Sequence, residues 1–145
     1  MSGPKVPEIV HVLERLQTMC TDGVEGYRIA ASRVKQPQLH AALERNRVER
    51  DEMVAVIINM LVEFRKKHSH HGSVAGALHR GLVNALGVAH ADDIVVHECK
   101  RGDEATLAVF DEALRCELEA EDRERIERLR AHLAAALERL AASAK

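Results

Sequence analysis

Aromatic residues are almost missing from this chain, which has one Tyr, two Phe and no Trp among its 145 residues. Its hydrophobic content is nevertheless 46%, so the apolar residues are mainly Leu, Ala, Val and Ile. This composition is typical of a bundle of helices and excludes general disorder. The length suits a core of ordinary size, and we assign residues 1–145 to a single domain.

Disulfide pairs, long apolar runs and an excess of charge of one sign are also lacking. Cys20, Cys99 and Cys116 are an odd number of widely spaced thiols without a CxxC pair, which favours reduced cysteines and a cytoplasmic location. No apolar run approaches the roughly 20 residues of a membrane-spanning helix, and residues 1–8 contain no apolar signal core. The formal net charge of −2 gives no electrostatic reason to expect nucleic acid or an anionic membrane as a partner.

Apolar residues at helical spacing occur in four long segments. The predicted helices cover residues 7–35, 37–67, 91–119 and 121–142. Gln36 and Pro37 mark the first turn, because the residue before a proline avoids helical geometry. The crossover segment 68–90 begins with a polar stretch and contains a short predicted helix at about 74–86. One long connection between the second and third helices predicts an all-α, ferritin-like four-helix bundle with a short crossover helix.

The second predicted helix carries an arginine where its inner face should be apolar. The heptad seam is the stripe that a helix packs against its partners. In this helix it consists of Leu39, Leu43, Asn46, Arg50, Met53, Ile57, Met60 and Phe64. A buried ion left without its partner costs about 3–5 kcal/mol. Arg50 therefore requires a carboxylate inside the bundle.

The seams of the other helices identify that carboxylate. Antiparallel pairing of the first two helices about their turn sets Gly23 opposite Arg50. The crossover makes the second and third helices parallel, and their common register sets Asp103 level with Arg50. Ala136 of the fourth helix joins the same layer, so two small residues leave room for a bidentate pair. The alternative is that Arg50 extends along its stem to solvent. The members of the predicted structural polar cluster are Tyr27, Asn46, Arg50 and Asp103.

Three segments, in this order, resemble a bacterial family of ferritin-like four-helix-bundle proteins that is classified as a domain of unknown function. They are DGVEGYRIAA (residues 22–31), GSVAGALHR (residues 72–80) and HECKRGDEA (residues 97–105). The resemblance spans the chain from the first helix to about His132. It implies a ferritin-like bundle and brings no established reaction.

A ferritin-like oxidase requires inward carboxylates on facing helices and two Glu-x-x-His pairs, and the chain does not contain two such pairs. Arg50 occupies the interior position, where its positive charge opposes a cation. We therefore expect no cofactor, and keep iron or another divalent metal as the alternative. The first ligands to test for that alternative are Glu25, Glu49, Glu98 and His132.

Histidines of the crossover segment are a second group of candidates. We predict that His79 and Arg80 pair with Glu98 and lock the crossover onto the bundle, a structural role rather than a catalytic one. The loop histidines His68, His70 and His71 are expected to be solvated, and adventitious binding of a transition metal is the alternative.

No nucleophile with an adjacent base, phosphate loop or dinucleotide fingerprint is present, which indicates a protein that is not an enzyme. We expect a structural, stress-associated or protein-interaction module that self-associates through its Ala-rich surface near the C-terminus. The alternative function is binding or oxidation of iron, and a third possibility is a small ligand near Tyr27.

Overall fold

The computed structural model describes residues 6–68 and 91–144, and this part of the chain forms four α-helices and no strand. The helices are α1 (Val6–Arg33), α2 (Pro37–His68), α3 (Asp92–Leu114) and α4 (Ala120–Ser143). The all-α prediction is thus confirmed. Nearly all of the crossover segment lies outside the described residues, with its predicted helix and the side chains of His70, His71, His79 and Arg80. Those expectations stay predictions.

Helix α3 is shorter than the sequence predicts, because it ends at Leu114 rather than near residue 119. The guanidinium of Arg123 in α4 donates hydrogen bonds to the carbonyl oxygens of Leu114, at 2.8 Å, and of Cys116, at 3.1 Å. The last carbonyls of a helix have no partner within the helix. Arg123 satisfies one of them, that of Leu114, and its second hydrogen bond, to Cys116, stabilises the turn into α4.

Helix α1 lies beside α2 and α3. The side chain of Asp92, in the first turn of α3, accepts hydrogen bonds from the backbone N–H groups of Lys35 and Gln36 in the α1–α2 turn. The start of α3 therefore lies at the end of the bundle that holds this turn, and α3 runs antiparallel to α1.

Helix α4 also lies beside α2 and α3. Arg139 near the end of α4 contacts Glu49 at 3.2 Å, whereas Arg125 near its start contacts Glu63 at 3.1 Å, so α4 runs antiparallel to α2. It follows that α2 and α3 are parallel and face each other across the diagonal of the bundle. No helix in the described ranges is long and apolar enough to cross a membrane.

The core has two apolar clusters separated by polar residues. The large apolar cluster lies at the end that holds the α3–α4 turn, and its fully buried members include Leu13, Ile57, Phe110 and Leu133. The small apolar cluster lies at the opposite end and includes Ala30, Leu39, Leu43 and Leu140. Between them lie the four predicted polar residues, which we call the polar layer: Tyr27, Asn46, Arg50 and Asp103.

Candidate functional site

Arg50 and Asp103 form a bidentate ion pair at the centre of the bundle. Nη1 of Arg50 donates to Oδ1 of Asp103 at 2.9 Å, and Nη2 donates to Oδ2 at 3.0 Å. The side chains are 1% and 5% exposed, respectively. Within the described ranges, no Cα atoms of α2 and α3 come within 8 Å of one another. The long arginine side chain therefore crosses the diagonal, and its planar fork matches the carboxylate.

Tyr27 completes the shell of the carboxylate. Its phenol donates a hydrogen bond to Oδ2 of Asp103, so that this carboxylate accepts three hydrogen bonds. The guanidinium carbon of Arg50 lies 5.4 Å from the centre of the Tyr27 ring, which is within the range of a cation–π contact. Asn46 donates to the phenol oxygen at 3.4 Å and links α2 to the same network.

Gly23 makes room for the guanidinium. A Cβ atom at this position would lie 2.6 Å from Nη1 of Arg50, closer than carbon and nitrogen atoms can approach. The register predicted from the seams sets these two residues opposite each other, and the structure places them there. A glycine inside a helix costs roughly 0.5–1 kcal/mol relative to alanine. At position 23 the missing side chain leaves space for the guanidinium of Arg50.

The fourth helix is hydrogen-bonded to the polar layer through Asn46. The backbone carbonyl of Ala136, which is buried, accepts a hydrogen bond from Nδ2 of Asn46 at 3.1 Å. Arg139, which sequence reasoning missed, donates to Oδ1 of Asn46 and to Glu49. Its spacing of three residues from Ala136 places both on one side of α4, which the sequence indicates, whereas its partner is not determined by that spacing.

Burial and pairing set the charge state of the layer. Burial by itself lowers the pKa of Arg50, but the charge and hydrogen bonds of Asp103 outweigh it and raise the pKa above its ordinary value. Burial raises the pKa of Tyr27, and the nearby Asp103 raises it further. The layer therefore holds a permanent cation and a neutral phenol at neutral pH.

The thiols next to the layer are also held in their neutral form. Burial raises the pKa of Cys20 from 9.0 to about 11, although Arg50 opposes the shift. Burial, with a contribution from Asp103, raises the pKa of Cys99 from 9.0 to about 12. All three cysteines are free and buried. A thiol, unlike a thiolate, is a poor nucleophile and a poor metal ligand.

The four predicted metal ligands do not come together in one place. Glu25 is exposed on α1 and hydrogen-bonded to Arg28. Glu98 is partly buried on α3, 3.7 Å from Arg101. Its predicted partners His79 and Arg80 lie outside the described residues. In the described part of the chain, no three His, Cys, Asp or Glu side chains are grouped in a way that could hold a metal ion.

Glu49 and His132 share a groove between α2 and α4. The groove has a volume of about 460 Å³, and Glu52 and Arg125 also line it. Glu49 is not free within it, since Arg45 and Arg139 contact its two carboxylate oxygens at 3.1 and 3.2 Å. Two arginines thus compete with any cation for this carboxylate.

One Glu-x-x-His pair, Glu8 and His11, was missed as a ligand pair at the level of sequence. Both residues are exposed near the start of α1, and Nδ1 of His11 lies 3.5 Å from a carboxylate oxygen of Glu14. A ferritin-like di-metal centre takes two such pairs that project into the bundle. This exposed single pair does not meet that requirement.

Fold and site together define an all-α four-helix protein whose centre is an ion pair enclosed by its own hydrogen-bond partners. Residues 8–116 match the family described as "Domain of unknown function (DUF2383)", and the chain belongs to this family. No curated protein matches the chain.

Proposed function

We propose that this protein is a non-catalytic, ferritin-like helical bundle that serves in the cytoplasm as a structural, stress-associated or protein-interaction module. The observation that carries the proposal is the bidentate pair of Arg50 and Asp103 at the centre of the core. Ferritin-like oxidases bind their two metals between inward carboxylates at mid-bundle. Here a guanidinium fills that region, and its charge opposes a second cation.

The arrangement of the helices supports the ferritin-like part of the proposal. Helices α2 and α3 are parallel across the diagonal, so the chain between them has to return along the full length of the bundle. One long crossover of this kind is the connection that ferritin-like folds use. We propose that this connection contains the short crossover helix and that its residues His79 and Arg80 contact Glu98 of α3.

The state of the polar groups supports the absence of catalysis. The carboxylate of Asp103 is buried and accepts three hydrogen bonds from Arg50 and Tyr27, and both Cys20 and Cys99 have raised pKa values. A general base or nucleophile needs a free lone pair near its substrate. The buried groups bind one another instead, which is the behaviour of a structural core.

The alternative is a metal-binding protein that binds or oxidises iron, and one observation favours it. Glu49, Glu52 and His132, which are residue types that bind transition metals, line the same groove between α2 and α4. In this alternative, Arg45 and Arg139 have to release Glu49 before a metal can enter.

Metal analysis of the untagged full chain, followed by ferrous iron oxidation in air, separates the two functions. The proposal predicts no stoichiometric metal, and oxidation rates that are equal for the wild type and for Glu49→Ala. Glu104→Ala is the matched control, because its side chain is exposed, lies outside the groove and is not a candidate ligand. About two irons per chain, lost in Glu49→Ala and kept in Glu104→Ala, overturn the proposal in favour of the alternative.

A further inference from the structure

Helix α2 exposes apolar side chains on the face that points away from the core. Among the described residues, five large hydrophobic side chains are exposed; three of them lie on this face of α2, whereas Val56 of α2 lines the groove towards α4. Val48 is 48% exposed, Ile58 39% and Val62 52%. A helix that is apolar on two opposite faces normally packs on both. The inner face of α2 packs against α1 and α4, and none of the described helices packs against the outer face.

The outer residues follow a second heptad seam. Val48, Asp51, Ala55, Ile58 and Val62 alternate by three and four residues, and all five are exposed. We call this stripe, with the charged residue at each end, the outer seam. It runs for about 33 Å from Glu44 to Lys66, at 1.5 Å per residue. Such spacing is the pattern by which one helix packs against another.

The charges of the outer seam identify the partner. Glu44 lies at its N-terminal end and Lys66 at its C-terminal end. An antiparallel copy of α2, related by a two-fold axis at Ala55, sets Glu44 opposite Lys66 and Val48 opposite Val62. A parallel copy sets like charges together at both ends. The seam is therefore complementary to itself in one direction only, as a two-fold interface requires.

We propose that the protein forms a two-fold symmetric homodimer in which the outer seams of two α2 helices pack antiparallel. The inference rests on the proposed interaction role and gives that role an interface. Ala55, at the axis, lets the two helices approach closely. This surface differs from the Ala-rich surface near the C-terminus, through which the sequence predicts self-association.

The dimer is a weak one. One helical stripe buries less than the roughly 800 Å² per partner of a standard stable interface, and Asp51 interrupts the apolar row with a charge. Dimer and monomer therefore exchange, and the dimer fraction rises with concentration over the micromolar range.

Sedimentation of the full chain across a concentration series tests the interface. Ile58→Glu places a like charge on both sides of the axis, and we expect it to abolish the dimer while the helical circular dichroism is retained. Ile94→Glu is the matched control, because Ile94 is an equally apolar side chain on α3 that is 45% exposed. A dimer that survives Ile58→Glu, or that Ile94→Glu abolishes, overturns the inference.

Charge reversal tests the direction of packing. Glu44→Lys and Lys66→Glu each set two pairs of like charges at the ends of the dimer, and we expect each to weaken it about tenfold. The double variant carries both reversals, restores both pairs and is expected to dimerise like the wild type. Failure of the double variant to recover contradicts antiparallel pairing.

Disulfide cross-linking supplies an independent readout. Glu44→Cys mixed with Lys66→Cys is expected to cross-link between chains, whereas each variant alone is not. Background from the native thiols is low, since they are buried and their pKa values are raised. Cross-linking of Glu44→Cys with itself indicates parallel packing and overturns the inference.

Two further outcomes are informative. A chain that is monomeric at every concentration overturns the dimer and leaves the metal measurements untouched, so this failure differs from failure of the proposed function. An Ala55→Cys thiol that is shielded in such a monomer identifies residues 69–90 of the same chain as the cover of the outer seam, which also overturns the dimer.

Discussion

The large apolar cluster and the polar layer belong to the same four helices but depend on their neighbours in different ways. Leu13, Ile57 and Phe110 are 0% exposed, and burial of each such side chain contributes about 1.5–3 kcal/mol. This contribution does not depend on a particular orientation of the side chain relative to its neighbours. Hydrophobic side chains of similar volume replace one another at small cost. Arg50 and Asp103 gain little net stability, because the loss of hydration offsets their attraction. Their hydrogen bonds, however, form in one alignment only.

The difference indicates a division of roles between the two regions. A slip of α3 by one heptad moves Asp103 about 10 Å from Arg50, at 1.5 Å per residue, and in one direction sets Asp103 in the place that Phe110 takes in the large cluster. The slipped bundle then contains an unpaired buried charge. We infer that the apolar cluster supplies most of the stability and that the polar layer selects the register.

Removal of one charge is the strongest way to test this comparison. Asp103→Ala leaves the guanidinium of Arg50 buried without a carboxylate, and we expect a loss of about 3–5 kcal/mol in the free energy of unfolding. Urea unfolding followed by circular dichroism measures it. Glu104→Ala, at the exposed neighbouring position, is the control and is expected to change stability by less than about 0.5 kcal/mol.

Removal of both charges sharpens the same comparison. The double substitution Arg50→Met with Asp103→Leu removes the pair together, and we expect it to recover most of the stability that Asp103→Ala loses, because no buried charge is left alone. If the double variant is as unstable as Asp103→Ala, the pair contributes stability of its own, and the division of roles is wrong.

Alanine substitutions at Gly23 and Gly102 are expected to change the free energy of unfolding by a smaller amount and in opposite directions, because Gly23 lies against Arg50 and Gly102 has open space beside it. Gly23→Ala adds a methyl group 2.6 Å from Nη1 of Arg50, and Asp103 prevents the guanidinium from moving away freely. We expect a net loss of about 1–2 kcal/mol, because the cost of overpacking exceeds the gain in helix propensity. Gly102→Ala meets no atom within 4 Å and is expected to stabilise α3 by about 0.5–1 kcal/mol. Thermal or urea unfolding that shows stabilisation by both substitutions contradicts the tight fit at Gly23.

Much of the polar layer could be predicted because helical spacing is rigid. Counting residues from the turn at Pro37 sets Gly23 level with Arg50, whereas the level of Asp103 follows from the heptad phase that α2 and α3 share together with the need of Arg50 for a carboxylate. The contact of Arg139 with Asn46 did not follow in the same way, because a side chain as long as arginine reaches several levels. Its partner depends on a rotamer that the sequence does not specify.

The metal candidates show where residue type alone is insufficient. Glu25, Glu98 and His132 have suitable ligand atoms, but in the described part of the chain they belong to no group of side chains that could hold a metal ion, and arginines contact the two carboxylates. The end of α3 was missed for a related reason. It depends on Arg123, which is close to Leu114 in space rather than within the same helix.

The smallest expected effect concerns the thiols beside the polar layer at alkaline pH. In the unfolded chain Cys99 regains its ordinary pKa of 9.0, whereas burial in the folded protein raises that pKa to about 12. The folded state therefore keeps a proton that the unfolded state loses. The stability that depends on this proton is complete below pH 9 and is lost as the pH rises towards 12.

The free energy of unfolding is expected to fall between pH 9 and pH 10, and we expect the Cys99 thiol alone to account for about 1 kcal/mol of that fall. Cys99→Ala removes the titrating group, so its urea-unfolding free energy should fall less steeply with pH than that of the wild type. Thr106→Ala is the control, because it removes a buried polar group that does not titrate. It should lower stability by a similar amount at pH 9 and pH 10. An unchanged slope in Cys99→Ala means that the thiol is accessible to solvent in the folded state. In that case the core next to Asp103 is looser than the ion-pair geometry indicates.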